Sequence, residues 1–199
     1  MLSFLKNLFS KKDKKSTARA DEIIKSVEAF RKRPIHRILT TAIIEATLDD
    51  KLLQVIFDNL WSKLVNDYSK EYETVTSWNR SRQAIYFIWI LEGDVNNGGF
   101  NQFYFNSNGQ FNKFLPDALQ LVGADQYAGL IKRANNIFEL ENKKITEHQD
   151  GTLEGFSKSY NDNPLNKLDR EFYELHEKED LQKLRINYIR SYKKDFIDK

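Results

Sequence analysis

Residues 84–109 read AIYFIWILEGDVNNGGFNQFYFNSNG. The stretch opens with eight consecutive apolar residues, 84–91, continues through a polar joint that contains Gly98 and Gly99, and closes with an aromatic cluster. A segment that is apolar on every side is typical of a helix surrounded by other helices, or of a buried strand. We favour the helix, because residues 91–97 continue without a turn signal and the whole segment is longer than an ordinary strand.

Helical spacing places polar groups along one apolar face of this segment. Trp89, Glu92 and Asn96 follow one another at intervals of three and four residues, so they share one side of the predicted helix. Gly98 and Gly99 form the predicted structural turn, because glycine readily adopts the positive φ that ends a helix and allows a sharp reversal. A second short helix is expected over residues 100–106.

The remaining sequence also carries helical patterns. Apolar residues recur at helical intervals before Pro34 and over residues 53–68, 127–138, 168–175 and 181–196. Ser77 is the predicted N-cap of the central helix and Asp125 that of a later one, whereas residues 139–163 predict a long surface loop. The expected fold is all-α: an irregular multi-helix bundle of about seven to nine helices with a short N-terminal arm.

Three regions are predicted along the chain. Residues 1–20 form a basic amphipathic arm and linker, residues 21–76 form N-terminal helices that pack on the main domain, and residues 77–199 form the main helical domain. Of the 199 residues, 40% are hydrophobic and 13% aromatic, which supports a sizeable core. Cysteine is absent, so thiolate metal sites and cysteine nucleophiles are excluded, and the cytoplasm is the expected location.

The net charge of +2 hides an asymmetry between arm and body. Residues 1–20 hold six basic residues against Asp13 alone, a net charge of +5, which leaves −3 for residues 21–199. Because the basic charge belongs to the arm, no direct nucleic-acid binding is expected of the folded body. One interpretation of the arm is a weak contact of residues 1–20 with an anionic membrane surface, and the favoured one is a frayed arm or a helix docked on the body.

Polar side chains around the glycine joint form the candidate pocket: Glu92, Asn96, Asn97, Gln102 and Asn106. In a functional interpretation, a partly buried Glu92 has a raised pKa and acts as a general base while the amides orient a small polar ligand. In a structural interpretation, the same groups satisfy the free backbone groups of two adjacent helix ends. We favour the structural one, because no nucleophile with its base is visible and no residue is assigned a catalytic role.

No metal or cofactor is predicted. His36, His148 and His176 lie far apart in the sequence without the spacing of metal ligands. The lysine and hydroxyl residue of a phosphate loop do not follow Gly98 and Gly99. The aromatic residues that follow the glycines lack interleaved Arg or Lys, so they are expected in the core rather than in a stacking platform.

The motif Asn-Gly-Gly-Phe-x-Gln-Phe spans residues 97–103, with Glu92 before it, Phe105, Asn106 and Gly109 after it, and further matches in order up to residues 188–190. This pattern resembles the signature of a bacterial domain family of unknown function, typified by the C-terminal domain of a DNA-mimic protein. The resemblance implies an all-helical fold and an acidic surface that occupies the DNA-binding face of a transcription factor. The charge of the body, −3 with dispersed Lys and Arg, argues against strong mimicry, which needs carboxylates at phosphate-like density.

The leading hypothesis is a non-catalytic protein-interaction module with an unknown protein partner, which binds through a surface outside the motif. A homodimer is compatible with this hypothesis. The first alternative is a small-ligand-binding protein or enzyme that uses a pocket of Glu92, Asn96, Asn97 and Gln102. The second alternative is a protein that confers immunity to a toxin.

Overall fold

The computed structural model of the chain describes residues 21–64 and 68–198. The chain divides into two compact units, residues 1–35 and residues 36–199. The predictions for residues 1–20, including their membrane contact, lie outside the described residues. The finer division at residues 20 and 76 stays a prediction.

The described residues form eleven α-helices and no strand, which confirms the all-α prediction, and seven of these helices have seven residues or more. In the first unit, α1 covers residues 21–31. The helices of the second unit are α2 (Thr41–Ala46), α3 (Asp49–Trp61), α4 (Glu71–Thr76), α5 (Arg80–Phe105), α6 (Leu115–Leu121), α7 (Asp125–Leu140), α8 (Asn142–Thr146), α9 (Leu153–Lys158), α10 (Asn166–Leu175) and α11 (Leu181–Ser191). Short 3₁₀ helices lie at Tyr68–Lys70, Ser107–Phe114 and Lys193–Asp195. None of the described helices has both the length and the apolar character needed to cross a membrane.

The core of the second unit is built around α5. Residues 84–88 are at most 1% exposed, as expected for a helix that is apolar on every side. Helices α3, α6 and α10 all pack against α5, and α7 packs against α6 and α10. The aromatic residues after the glycine joint contribute to this core: Phe100, Phe103, Tyr104 and Phe111 are buried.

Gly98 and Gly99 separate two helical segments of α5, residues 80–97 and 100–105. Gly98 has φ −156° and ψ 29°, Gly99 has φ 69° and ψ −173°, and helical geometry resumes at Phe100. The predicted helix break at these glycines and the short helix after them are therefore present, with a kink in place of the expected sharp reversal. Only glycine adopts the backbone conformation of Gly99 at little cost, because a side chain there would clash with the main chain.

Some predicted helix boundaries are wrong. The N-cap of α5 is Asn79, whose side chain accepts a hydrogen bond from the Arg82 N–H at 2.9 Å, whereas Ser77 ends α4. Residues 139–163 contain α8 and α9 rather than one long loop. These two helices have five and six residues, too few to show a helical period in the sequence.

Candidate ligand-binding cleft

A cleft of about 630 Å³ lies in the second unit, where α3, α5, α7, α10 and α11 contribute side chains to its lining. The lining combines aromatic, amide and charged side chains: Asp50, Leu53, Gln54, Trp89, Glu92, Asn96, Tyr127, Phe172, Tyr173, His176, Gln182 and Arg185. A concave surface with a few polar groups among apolar walls is the usual form of a small-molecule site. Two of the predicted pocket residues, Glu92 and Asn96, therefore line this cleft.

Helix α5 presents Trp89, Glu92 and Asn96 to the cleft. The three- and four-residue spacing predicted this shared face, and the structure confirms it. The Trp89 ring stacks on Phe57 of α3, with 4.5 Å between ring centroids and 13° between ring planes. This stacking fixes the indole in the wall of the cleft, because the two helices hold the rings face to face.

Glu92 forms an ion pair with Arg185 of α11, between Oε2 of the carboxylate and Nη2 of the guanidinium. The Arg185 side chain is 3% exposed and the Glu92 side chain is 25% exposed, so the pair is largely shielded from water. Burial raises the pKa of Glu92, and the neighbouring Arg185 opposes that rise. Breaking a buried pair by removing one partner typically costs about 3–5 kcal/mol, so this contact ties α5 to α11.

One nitrogen of the ion pair is buried without a hydrogen bond. Arg185 Nε donates to the Leu181 carbonyl oxygen at 3.3 Å, but Arg185 Nη1 is buried and has no partner among the described residues. Glu92 is 25% exposed and lines the cleft, with Arg185 as its ion-pair partner. Buried polar groups in native proteins are nearly always paired, so Nη1 marks a position where a further acceptor is favourable.

Aromatic rings form the apolar part of the cleft. Tyr127 and Phe172 are 2% and 4% exposed, and their rings meet edge to face with 5.2 Å between centroids. Burial, followed by the negative charge of Glu92, raises the pKa of Tyr127 to about 12, so its phenol is neutral at physiological pH. Tyr173 adds a more exposed ring and donates its hydroxyl hydrogen to the Val95 carbonyl oxygen at 2.8 Å.

A carboxylate from a distant segment holds the start of α7, where Tyr127 lies. Glu179, between α10 and α11, accepts hydrogen bonds from the backbone N–H groups of Gln126 at 3.3 Å and Tyr127 at 3.1 Å. The predicted cap Asp125 is instead the first residue of α7, and the N-cap residue Ala124 makes no side-chain bond. A carboxylate at this end is favourable because the free N–H groups carry partial positive charge.

Asn97, Gln102 and Asn106 lie in a separate network centred on Asp94. Asp94 Oδ1 accepts from Asn106 Nδ2 at 2.7 Å and from Gln102 Nε2 at 3.2 Å, and Gln102 Oε1 accepts from Asn97 Nδ2 at 2.9 Å. Asp94 is 7% exposed, so the amides satisfy a buried carboxylate across the kink of α5. The structure thus places two of the five predicted pocket residues in the cleft and three in this network.

Arg185 is the main cleft residue that the sequence analysis missed. It lies four residues after Leu181 and four before Ile189, both of which are buried. A charged residue on the apolar face of α11 could have indicated a buried ion pair, since charged residues are rarely buried unless they are paired. Asp50, Gln54 and Gln182 gave no comparable signal, because only tertiary packing brings these polar residues to the same cleft.

The lining offers several kinds of hydrogen-bonding side chain. It contains no Ser, Thr, Cys or Lys. Within residues 21–64 and 68–198, no three His, Asp or Glu side chains are grouped as metal ligands would be. The polar groups of the lining are two carboxylates, a guanidinium, the His176 imidazole, the Trp89 indole, amides and phenols, which together donate and accept hydrogen bonds.

A family model described as DMP19-like protein matches residues 76–192. The chain belongs to the DMP19-like protein family. No curated protein and no solved structure matches the chain. The DMP19-like region supplies Glu92, Tyr127 and Arg185, whereas Asp50 and Gln54 of α3 lie outside it. The cleft is thus formed jointly by the DMP19-like region and by a helix that precedes it.

Proposed function

We propose that this protein is a non-catalytic binding protein that holds a small polar ligand in the cleft. The observation that carries the proposal is the buried ion pair of Glu92 and Arg185 in the lining of a concave site of about 630 Å³. Tyr127 and Phe172 supply the apolar wall that such sites usually have. Binding is favoured over catalysis because the lining has no Ser, Thr, Cys or Lys nucleophile and because Arg185 already engages the Glu92 carboxylate.

The charge pattern of α10 supports a role other than DNA mimicry. Two of its carboxylates are paired with basic side chains, Glu171 with Arg133 and Glu174 with Arg170. Paired carboxylates present little net negative charge, whereas a mimic must offer the charge density of a phosphate backbone. These two pairs argue against mimicry by α10 and favour the cleft as the site of binding.

A thermal-shift screen of the full chain against a library of polar metabolites tests the binding function. We expect at least one compound that stabilises saturably, by roughly 5–10 °C at about one hundred times its Kd, because a ligand that binds only the folded state shifts unfolding by mass action. Asn96→Trp places a large side chain at an exposed cleft position and should abolish the shift. Lys132→Trp, an equally bulky change at an exposed residue of α7 outside the lining, should preserve it. A library without any saturable stabiliser would overturn the proposal.

A second candidate function is an interaction with an acidic partner protein through α1. Ile23, Ile24, Val27 and Phe30 are each about half exposed, at 56%, 55%, 47% and 52%, and their spacing gives one apolar stripe. Residues 1–35 hold ten basic and four acidic residues, so a partner groove with an apolar floor and acidic edges would complement this unit. The stripe is the observation that supports the interaction-module hypothesis.

Affinity capture with mass spectrometry tests this second candidate. We expect an acidic protein at stoichiometric amounts, lost in Val27→Asp on the stripe and retained in Ala29→Asp, which adds the same charge on the other side of α1. Sedimentation with anionic vesicles is run in parallel, with and without residues 1–20. Two results together would overturn this candidate: the vesicles bind the chain only when residues 1–20 are present, and no captured protein depends on Val27. The arm would then contact a membrane rather than an acidic protein.

A further inference from the structure

We propose that the cleft binds a zwitterion, a small molecule that carries both a carboxylate and an ammonium group, as free amino acids do. This inference rests on the proposed binding function and names the chemical class of its ligand. It is drawn from the unpaired guanidinium nitrogen and the partly exposed carboxylate of the ion pair, from the net charge of that pair and from the aromatic walls around it.

The ion pair offers one donor and one acceptor to a ligand. Arg185 Nη1 is buried without a hydrogen-bond partner in the described chain, and a carboxylate oxygen is the acceptor that a guanidinium nitrogen binds most strongly. Glu92 lines the cleft and is 25% exposed, so a ligand can reach its side chain. An ammonium group has three hydrogens and no acceptor, so it complements a carboxylate. One molecule with both groups can engage both members of the ion pair.

Charge neutrality selects a zwitterion over a simple anion or cation. Glu92 and Arg185 compensate each other, so a ligand with a net charge would add an uncompensated charge to a site that is shielded from water. The other carboxylate of the lining, Asp50, is 65% exposed and lies 3.3 Å from the ammonium of Lys51, so it is screened by solvent and by its neighbour. A zwitterion leaves the charge of the cleft unchanged.

The walls of the cleft favour a ligand with an apolar or aromatic side chain. Tyr127 and Phe172 are almost fully buried, and Trp89 has one face covered by Phe57. A volume of about 630 Å³ exceeds what the charged groups of an amino acid need, so the remaining space lies against these rings. Apolar contact there adds affinity without another polar partner.

Isothermal titration calorimetry on the full chain tests the class of ligand. The probes are the twenty free amino acids and two analogues of phenylalanine: 3-phenylpropionate, which lacks the ammonium group, and 2-phenylethylamine, which lacks the carboxylate. We expect saturable binding of at least one amino acid with an apolar or aromatic side chain. Each phenylalanine analogue, which lacks one of the two charged groups, should bind at least about tenfold more weakly than phenylalanine, because a polar group of the site is then left unpaired.

Two conservative variants connect the binding to the ion pair. Arg185→Lys keeps the charge but removes the planar nitrogen fork, and Glu92→Gln keeps the shape but removes the charge. Each should weaken amino-acid binding at least about tenfold, while Arg170→Lys, at an exposed pair on α10, should leave it unchanged. Far-ultraviolet circular dichroism shows whether each variant folds. Asn96→Leu, at an exposed cleft position, serves as the test variant if the ion-pair variants do not fold.

The outcomes separate this inference from the binding function on which it rests. Two results would show that the zwitterion class is wrong while the binding function stands. In the first, the two single-charge analogues bind as tightly as the amino acid. In the second, the metabolite screen yields only ligands that are not zwitterions, and Asn96→Trp blocks their binding. If neither the amino acids nor the metabolite library binds, both proposals fall. An amino acid whose binding is lost in Arg185→Lys and retained in Arg170→Lys supports both.

Discussion

The Asp169 carboxylate accepts a hydrogen bond from the backbone N–H of Phe100, with 2.8 Å between Oδ1 and nitrogen, although 69 positions separate the two residues. Phe100 is the first residue of α5 after the kink, so Asp169 of α10 acts there as a helix N-cap supplied from another helix. A Cβ atom built on Gly99 would lie only 2.3 Å from Asp169 Oδ2. The carboxylate can therefore reach the helix end only because the preceding residue is glycine.

Gly99→Ala should destabilise the fold strongly. The new methyl group meets the Asp169 carboxylate, and the backbone of Gly99, with φ 69° and ψ −173°, is strained for any side chain. We expect a loss of about 2–4 kcal/mol in the free energy of unfolding, measured by urea denaturation followed by circular dichroism. Gly93→Ala is the matched control: it lies in the same helix, nothing lies within 4 Å of its added Cβ, and it should stabilise by about 0.5–1 kcal/mol. Equal effects of the two substitutions would contradict this account.

Asp169→Asn should be tolerated better than Asp169→Ala. Burial raises the pKa of Asp169 while the Phe100 N–H opposes that rise, so the fold favours the neutral acid over the charged one. An Asn side-chain oxygen can accept the same bond without charge, and at pH 7 we expect its cost to stay below about 1 kcal/mol, against about 1–2 kcal/mol for Ala.

The pH dependence of the Asn variant follows from the direction of that pKa. A raised folded-state pKa gives a stabilising contribution that is fully present below the ordinary pKa of aspartate and is lost as pH rises through the folded value. The stability advantage of the unmodified protein over Asp169→Asn should therefore shrink between pH 4 and pH 7. Urea denaturation at three pH values measures it, and an advantage that grows with pH would show that the carboxylate charge itself stabilises the kink.

Local sequence patterns predicted the parts of the site that one helix determines. Trp89, Glu92 and Asn96 share a face because of the helical period, and that period is visible in eight residues of sequence. Asp169 and Arg185 could not be paired with Phe100 and Glu92 in the same way, because each contact joins two helices that are distant in the chain. Their register depends on packing, which no spacing rule within one helix encodes.

The fold shows the same limit at its shorter elements. Helix α5 was predictable because its apolar run exceeds the length of a strand, whereas α8 buries a single side chain, Ile145. The N-cap of α5 is Asn79 rather than Ser77, since the tertiary contact of the Asn79 amide with the Asp195 carbonyl oxygen at 2.8 Å favours the later start. Both residue types cap helices, so propensity alone did not separate them.

Arg190→Lys should loosen α3, which forms one wall of the cleft. Arg190 of α11 donates from Nη1 to the carbonyl oxygen of Ile44, from Nη2 to that of Thr47 at 2.6 Å, and from Nη2 to Asp49 Oδ1 at 2.6 Å. A lysine ammonium cannot reproduce this planar set of donors, so we expect a loss of about 1–2 kcal/mol in the free energy of unfolding.

The comparison for Arg190→Lys is Arg170→Lys, which alters an exposed ion pair within one helix and should cost at most about 0.5 kcal/mol. Hydrogen exchange followed by mass spectrometry adds a local measurement. Exchange should increase in residues 41–61 of the Arg190 variant, because the guanidinium joins the connection between α2 and α3 to α11. Unchanged exchange there would mean that Arg190 does not hold this wall of the cleft.

Asp198 should make the protein sensitive to acid. Burial alone would raise the pKa of Asp198, but hydrogen bonds from the Leu39 N–H, Lys63 and Asn59 outweigh it and lower the pKa to about 2. The carboxylate also lies 2.9 Å from both Lys63 Nζ and Arg82 Nη2, so it joins the C-terminal segment to the rest of the second unit.

A depressed folded-state pKa gives stability that is present above the ordinary pKa of aspartate, near 4, and is lost as pH falls through the folded value near 2. Asp198→Asn should therefore cost about 1–3 kcal/mol at pH 7, because several charge-assisted hydrogen bonds are weakened, and progressively less between pH 4 and pH 2. Guanidinium denaturation at pH 7, 4, 3 and 2 measures the difference. Glu177→Gln, at an exposed carboxylate with no ion pair in the described part of the chain, should show no comparable change. The titration of Asp198 should make the free energies of unfolding of the unmodified protein and of Asp198→Asn converge below pH 4. If the two free energies instead fall in parallel, the acid sensitivity arises from other carboxylates.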